Sequence, residues 1–205
     1  MILLSNKLGN LISLTTFDIS WCLSLTSLPN KLSNFTTLTA FDISRCKSLT
    51  SLPNKLDNYI SLNSFDTNNY KSLIILSNKI KNLTNLTSFN ISNCKSLTSL
   101  QRALDNINSL TIFRINGCSR LISLPCELDK LTSLTIFDIR RCSKLTSLLN
   151  ELHKFTTLTI FNMNCCSRLI LLPNKLSDLT SLNTFDISCC LRLKSLQMNW
   201  RTSHL

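Results

Sequence analysis

The chain has 205 residues, enough for one domain and no more than two, and its 43% hydrophobic content favours a folded core over disorder. Two glycines and two histidines leave little material for a phosphate-binding glycine loop or for histidine-based acid–base or metal chemistry. Twenty-two Lys and Arg against eleven Asp and Glu give a net charge of +11, which favours contact with anionic surfaces but does not determine the fold.

The first residues do not have the pattern of a targeting sequence. Residues 1–14 lack a basic start, a continuous apolar core and a small-residue cleavage site. No run approaches the roughly 18 apolar residues of a membrane span. The ten cysteines therefore favour reduced thiols in the cytosol over a secreted disulfide framework. We expect a cytoplasmic protein without a membrane-spanning segment.

An internal repeat of 24 residues organises the sequence. A cysteine follows the repeated phenylalanine by five residues in all units but one, and the four prolines share one position of the unit. The phenylalanines stand at 17, 41, 65, 89, 113, 137, 161 and 185. The repeat predicts a single domain over residues 1–205, with a truncated unit at 1–13 and eight units over 14–205, the last of them degenerate.

Each unit predicts a short strand and then a turn back across the core. In the first full unit, Phe17 and Ile19 alternate with polar residues, which is typical of a half-buried strand. Leucines then follow at intervals of three or four, and Pro29 is placed to open a brief 3-10 or helical turn. Because one unit cannot bury its own leucines, we expect the units to stack with their strands in one parallel sheet.

These units resemble the leucine-rich-repeat family. The segment from Leu14 to Cys22 reads L-x-x-F-x-I-x-x-C, close to the family pattern L-x-x-L-x-L-x-x-[N/C], and Leu25 to Pro29 match its L-x-x-L-P half. This form is most similar to repeats of plant intracellular disease-resistance receptors, and next to scaffold repeats of Ras-pathway regulators. The resemblance implies a right-handed α/β solenoid with a concave parallel sheet and a convex side of loops and short 3-10 or helical turns.

The cysteines at the repeated position are interpreted as structural. The resemblance implies a ladder there that bonds backbone groups of adjacent coils. Cys165, Cys166, Cys189 and Cys190 also place two thiols side by side on two coils, which makes a zinc site conceivable. However, Cys166 and Cys190 should point inward and Cys165 and Cys189 outward, so the four thiols cannot converge. We expect no metal and no cofactor.

Outward strand positions should carry function, because they form the concave surface. The central column contains Asp18, Asp42, Asp66, Asn90, Arg114, Asp138, Asn162 and Asp186. Carboxylates at strand spacing repel each other by about 1 kcal/mol per close pair in water, so stability alone does not favour this arrangement. The neighbouring columns add Arg140 and a predicted exposed apolar patch of Ile112, Ile136 and Ile160.

Two interpretations of the acidic column stay open at this point. Repeat duplication could have copied one Asp many times, with water, Arg45, Arg140 and Arg141 neutralising the row. Alternatively, the column is a docking strip for a basic or polar partner, with the isoleucines beside it.

Positive charge is also periodic. Exposed cations are predicted along the turn after the cysteine position, at Lys47, Lys71, Lys95, Arg120, Lys144, Arg168 and Arg192. We interpret them as a solvated flank and not as a nucleic-acid site, because few aromatic residues outside the phenylalanine column are available to stack on bases. Apart from phenylalanine, the aromatic residues are Trp21, Tyr59, Tyr70 and Trp200.

No nucleophile–base pair, carboxylate dyad or cofactor motif predicts an enzyme or a small-molecule substrate. We expect a protein-recognition module: the ligand-sensing or autoinhibitory part of a plant-type immune receptor, as the resemblance implies, or a signalling scaffold. Two alternatives stay open. The chain begins mid-repeat and ends in a degenerate unit without polar caps, which would suit a fragment of a larger repeat protein with no autonomous activity. A basic RNA-binding scaffold would show steep salt dependence.

Overall fold

The structure is a computed structural model that describes residues 2–53, 56–76, 80, 82–100, 102–148, 150–172 and 175–194. The predicted degenerate end of the last unit, together with Trp200, lies outside the described residues. The fourth proline of the repeated position, at residue 173, also lies outside them.

Eight strands that begin 24 residues apart form one parallel sheet. The described residues contain β1 (Ile2–Leu3), β2 (Thr16–Asp18), β3 (Leu25–Ser27), β4 (Ala40–Asp42), β5 (Ser64–Asp66), β6 (Ser88–Asn90), β7 (Ile112–Arg114), β8 (Ile136–Asp138), β9 (Ile160–Asn162) and β10 (Thr184–Asp186). Eight of these form the main sheet in the order β2-β4-β5-β6-β7-β8-β9-β10, while β1 pairs with β3 alone. The predicted parallel stacking is confirmed.

The register of the sheet follows from the exact repeat length. Phe17 pairs with Phe41, and each later phenylalanine pairs with its counterpart one coil on. The ring centroids of Phe41 and Phe65 lie 5.4 Å apart, with planes 12° from parallel. The phenylalanines between 41 and 161 are buried, so their rings form a continuous stack inside the solenoid.

Short 3-10 helices cover the side opposite the sheet. They span Asn6–Asn10, Asn30–Asn34, Leu56–Asn58, Cys126–Lys130, Asn150–Lys154 and Leu176–Asp178. Pro29 and Pro125 precede two of them with φ of −69° and −70°, and each helix buries one leucine, Leu32 or Leu128. The predicted proline-initiated turn is confirmed, and over the described residues these turns are 3-10 and not α-helical.

Two ladders of side-chain hydrogen bonds join adjacent coils. The repeated cysteines donate from Sγ to the carbonyl of the residue that directly follows the strand of the preceding coil, as Cys46 does to Ile19 at 3.1 Å and Cys118 does to Ile91 at 3.2 Å. This confirms the ladder that the resemblance implied. A second ladder was not predicted: threonines donate to the carbonyl 24 residues earlier, as Thr111 does to Thr87 at 3.0 Å.

Two tyrosines belong to the core and not to the surface. Tyr59 is 0% exposed and packs edge-on against Phe41, and Tyr70 fills the cysteine position at 1% exposure. Contrary to the prediction, these two residues are therefore not among the aromatics available to stack on bases. Their burial raises the pKa of both phenols, because the charged form is desolvated.

Candidate protein-binding face

The sheet brings the predicted central column into one unbroken row. Asp18 pairs with Asp42, and Asp42 with Asp66. Farther along, Arg114 pairs with Asp138. The row ends where Asp186 of β10 pairs with Asn162 of β9. Each of these residues is the last of a three-residue strand, so their side chains form a row along the carboxyl ends of the strands on the concave face.

The carboxylates of this row cap the strand ends. In each, Oδ1 accepts a hydrogen bond from the backbone N–H two residues later, at 2.8 Å for Asp18 and 2.7 Å for Asp42 and Asp66. Asp138 and Asp186 do the same at 3.1 and 3.0 Å. This Asx turn is a local structural role that favours Asp or Asn at the position. We did not predict this turn from the sequence, although its signal is present: Asp or Asn recurs at the end of most strands, directly before a turn.

An asparagine can replace the aspartate in this turn. Asn90 occupies the same column, and its Oδ1 accepts from the backbone N–H of Ser92 at 3.1 Å. The turn therefore requires an acceptor oxygen but does not require a charge, so the repeated negative charge is not explained by capping alone.

The carboxylates differ in their surroundings. Backbone and then side-chain hydrogen bonds from Ser20 lower the pKa of Asp18, and Ser188 lowers that of Asp186 in the same way. Burial instead raises the pKa of Asp66, against the hydrogen bonds from Asn68 and Asn90. Asp18 and Asp186, at the two ends of the row, thus hold their charge more firmly than Asp66 does.

Asp138 is not an accessible charge. It is 3% exposed, and Arg140 donates to it from Nε to Oδ1 at 2.9 Å and from Nη2 to Oδ2 at 2.7 Å. The predicted partner-binding residues Asp138 and Arg140 therefore neutralise each other. Arg45, which one interpretation assigned to neutralising the row, has its guanidinium over Trp21, 4.1 Å from the ring centroid.

The isoleucines lie side by side in the sheet, but they are half-buried and not exposed as predicted. Ile112 pairs with Ile136 and Ile136 with Ile160, each at the first position of its strand. The earlier strands carry small or polar residues at this position, Ala40 and Ser64 among them. The apolar part of the face is thus confined to β7, β8 and β9.

Some charged groups of the face have no partner within the described part of the chain. Nothing there hydrogen-bonds to Oδ2 of Asp18 or Asp42, and Arg114 makes no ion pair. We call Asp18, Asp42 and Asp66 the anionic segment, and Ile112, Ile136 and Ile160 the isoleucine segment. Arg114 lies on β7, the first strand of the isoleucine segment, and Asn90 of β6 separates it from Asp66, so the face is bipartite along the axis of the solenoid.

The predicted basic flank is solvent-exposed. Its cations make no ion pair over the ranges that the structure describes; they are Lys47, Lys71, Lys95, Arg120, Lys144, Arg168 and Arg192. Trp21 is 59% exposed on the same edge. Whether this flank binds RNA stays a prediction.

No group of three or more His, Cys, Asp or Glu side chains in the described residues could hold a metal ion. Among these residues, none of the helices has the length and apolar character needed to cross a membrane.

No family model matches the sequence, and none of the curated proteins matches it. Solved structures are similar in fold. The leucine-rich-repeat domain of the type III effector XopL is 22% identical with a TM-score of 0.70, over 91% of this chain and 72% of that one. The PEPR1–AtPEP1 structure is 22% identical with a TM-score of 0.68, over 90% of this chain and 26% of that one.

The third structure is the leucine-rich-repeat ectodomain of the Arabidopsis thaliana membrane receptor kinase GASSHO1/SCHENGEN3, in complex with CASPARIAN STRIP INTEGRITY FACTOR 2. It is 19% identical with a TM-score of 0.59, over 90% of this chain and 25% of that one. This chain thus spans about a quarter of the length of the last two structures. The likeness shows that the chain has the fold of a right-handed leucine-rich-repeat solenoid. It does not distinguish disease-resistance receptors from other proteins with this fold.

Proposed function

We propose that residues 1–205 act as one protein-recognition domain, which binds an extended peptide segment of a partner protein across its concave face. The observation that carries the proposal is the bipartite face. Its anionic segment has an unpaired Oδ2 on Asp18 and Asp42 among the described residues, and its isoleucine segment begins on β7 beside Arg114, which makes no ion pair there. Capping alone needs no charge at Asp18 or Asp42, as Asn90 shows. A cationic partner gives that charge a role.

The face defines the chemistry of the peptide. Seven steps between eight strands at about 4.8 Å give a row of about 34 Å, which an extended peptide of about ten residues would cover. Its one half should carry Lys or Arg toward Asp18, Asp42 and Asp66. Its other half should carry aliphatic side chains toward the isoleucine segment, with a carboxylate near Arg114.

The setting of this domain is part of the same proposal. The cysteine-and-LP repeat form supports the ligand-sensing or autoinhibitory part of a cytoplasmic plant-type immune receptor, or a signalling scaffold. The GASSHO1/SCHENGEN3 ectodomain, solved in complex with its factor, is a similar fold that binds a partner. No substrate, cofactor or catalytic group belongs to the proposed activity.

An array of ten-residue peptides tests the binding chemistry. It should contain peptides with a Lys/Arg half and an Ile/Val/Leu half in both orders, together with uniformly basic and uniformly apolar peptides. We expect one order of the bipartite peptides to bind more tightly than the other three classes. Equal binding of uniformly basic peptides would show that net charge, and not the face, is responsible.

Variants then locate the binding face. The triple substitution Asp18→Asn, Asp42→Asn and Asp66→Asn keeps an acceptor in each Asx turn and removes three charges; we expect about tenfold weaker binding, equivalent to about 1.4 kcal/mol. The matched control is Asp105→Asn, Asp129→Asn and Asp178→Asn, which changes net charge equally away from the sheet. If both triple variants weaken binding alike, the anionic segment is not the site.

A further inference from the structure

Two cysteines outside the repeated position lie next to each other on adjacent coils. Cys165 follows β9 by three residues and Cys189 follows β10 by three, and the last residues of these strands, Asn162 and Asp186, are paired in register. The N–H of Cys165 donates to the carbonyl of Ser188 at 2.8 Å. This bond holds the two turns together directly before Cys189.

The backbone points both thiols the same way. Cys165 and Cys189 each have φ of +58°, the left-handed region, so their side chains leave the two coils in parallel. Cys165 is half-buried and Cys189 is exposed. Cys166 and Cys190 are turned away, since their thiols donate to the carbonyls of Ile139 and Met163 at 3.2 and 3.3 Å.

We propose that Cys165 and Cys189 form a redox modification site, at which the two thiols are oxidised to an intramolecular disulfide that ties the coil of β10 to the coil of β9. In-register strands lie about 4.8 Å apart, within the roughly 4.4–6.8 Å that separate the Cα atoms of disulfide-bonded cysteines. Within the described residues no third His, Cys, Asp or Glu completes a metal site around them. The pair is therefore suited to thiol chemistry and not to metal binding.

The oxidant in this reaction is a small-molecule disulfide such as glutathione disulfide. The thiolate of Cys189, the more exposed residue, attacks one sulfur of the oxidant and expels the first glutathione thiolate. The thiolate of Cys165 then attacks the Cys189 sulfur of the mixed disulfide and expels the second. Two protein thiols lose two electrons and two protons, and one glutathione disulfide becomes two thiols.

Desolvation, and then a hydrogen bond with the Cys189 thiol, raise the pKa of Cys165. The first attack is assigned to Cys189 because its thiol is the more exposed of the two. The contact between the two thiols also places the resolving sulfur beside the mixed disulfide.

Peptide mapping of the full chain tests the site. The protein is equilibrated in buffers of increasing glutathione disulfide to glutathione ratio, alkylated and cut with trypsin. We expect a link between fragments 155–168 and 176–192 to form at a lower ratio than any other link, and to disappear on treatment with dithiothreitol. Hydrogen–deuterium exchange at Thr184 and Lys194 should slow by about tenfold or more on oxidation, because the disulfide closes a loop around this coil.

Substitution of each cysteine with asparagine tests whether Cys165 and Cys189 supply the two sulfurs of the disulfide. Asn69 and Asn93 hold the equivalent turn positions with φ of +61° and +55°, so Cys165→Asn and Cys189→Asn suit the backbone. Each variant should lose both the link and the slowed exchange. The buried Cys142 and Cys166 are the internal control at the same coil spacing, and a link between them would appear as fragment 142–144 joined to 155–168.

Three results would overturn the proposal. The first is a glutathione on each thiol without a link between them. The second is a link that persists in both asparagine variants, which would assign it to Cys166 and Cys190. The third is a link that forms without slowing exchange in the coil of β10.

Discussion

Arg140 donates two side-chain hydrogen bonds to the buried carboxylate of Asp138, with Nε to Oδ1 at 2.9 Å and Nη2 to Oδ2 at 2.7 Å. Hydrogen bonding to Asp138 raises the pKa of the Arg140 guanidinium. The side chain of Asp138 is 4% exposed and that of Arg140 is 41% exposed. Arg140 thus supplies hydrogen bonds to a carboxylate that the sheet has buried away from water. Removal of the arginine would leave the buried charge of Asp138 without a partner, which destabilises the folded state.

The first prediction follows from this asymmetry. Replacing Arg140 with Met should lower the free energy of unfolding by about 1–3 kcal/mol, because Oδ2 of the buried Asp138 loses its partner. Urea unfolding measures the change. Arg141→Met is the matched control: it removes the same charge from an exposed neighbour and should cost less than about 0.5 kcal/mol. Equal losses in the two variants would attribute the effect to net charge.

The second prediction is that a substitution at Tyr59 raises the free energy of unfolding. Its hydroxyl is buried and has no hydrogen-bond partner, while its ring packs edge-on against Phe41 with centroids 5.9 Å apart. Phe35 and Phe155 hold the equivalent position in other coils and make the same contact. Tyr59→Phe should therefore raise the free energy of unfolding by about 1–3 kcal/mol, because it removes an unsatisfied polar group and keeps the ring.

Phe155→Tyr is the reverse experiment. It adds a hydroxyl to a ring that is 0% exposed, and we expect it to lower the free energy of unfolding. The stability changes of Tyr59→Phe and Phe155→Tyr are measured as shifts of the urea unfolding midpoint at an unchanged dependence of the free energy of unfolding on urea concentration. A loss of stability in Tyr59→Phe would mean that the hydroxyl contributes to the folded state.

The fold was predictable because the repeat length fixes the strand register. A constant 24-residue spacing places each phenylalanine beside its counterpart one coil on, as Phe17 lies beside Phe41. The sheet and the phenylalanine stack therefore follow from the sequence alone. The backbone conformation of the turn after each strand was harder to predict from the sequence. Trp21 and Arg45 take left-handed φ of +62° and +60°, and only Asn and Gly at the same position of other units, such as Gly117, indicate this conformation.

The state of each charge on the face could not be predicted from the repeat. Asp18 and Asp138 hold the same repeat position, yet Asp18 is exposed and Asp138 is buried. The difference depends on the neighbours: Ser20 follows the first, and Arg140 folds back over the second. Side-chain packing between coils decides such differences, and periodicity does not report it.

The third prediction concerns pH. Burial raises the pKa of Asp66, whereas hydrogen bonds from Ser20 lower that of Asp18. Carboxyl NMR should therefore show Asp66 titrating above the ordinary value of 3.8 and Asp18 below it. Titration of Asp18 at or above the value for Asp66 would contradict the burial difference.

The signs for stability differ as well. The folded state binds the Asp66 proton more tightly than the unfolded state does, so this residue lowers stability as pH rises through the ordinary and then the raised pKa. Asp18 contributes stability above its ordinary pKa and loses it as pH falls through the lowered one. Asp66→Asn should therefore flatten the stability curve above pH 4, and Asp18→Asn should flatten it below.

The fourth prediction concerns the cysteine ladder. Burial raises the pKa of Cys118 and Cys166 to about 12, so almost no thiolate is present at pH 8. Cys22 and Cys126 are exposed. Iodoacetamide at pH 8 should therefore alkylate Cys22 and Cys126 before Cys118 and Cys166, and should reach the latter two only as the solenoid unfolds.

Mass spectrometry of tryptic fragments over time measures these rates. In urea above the unfolding midpoint, all four thiols should react at similar rates, which controls for local sequence. Thr111→Val removes one bond of the neighbouring threonine ladder, from Thr111 Oγ1 to the Thr87 carbonyl at 3.0 Å. If buried thiols react through unfolding, this variant should accelerate alkylation of Cys118 in proportion to its loss of stability. Acceleration without any loss of stability would instead indicate a local opening of the ladder at that coil.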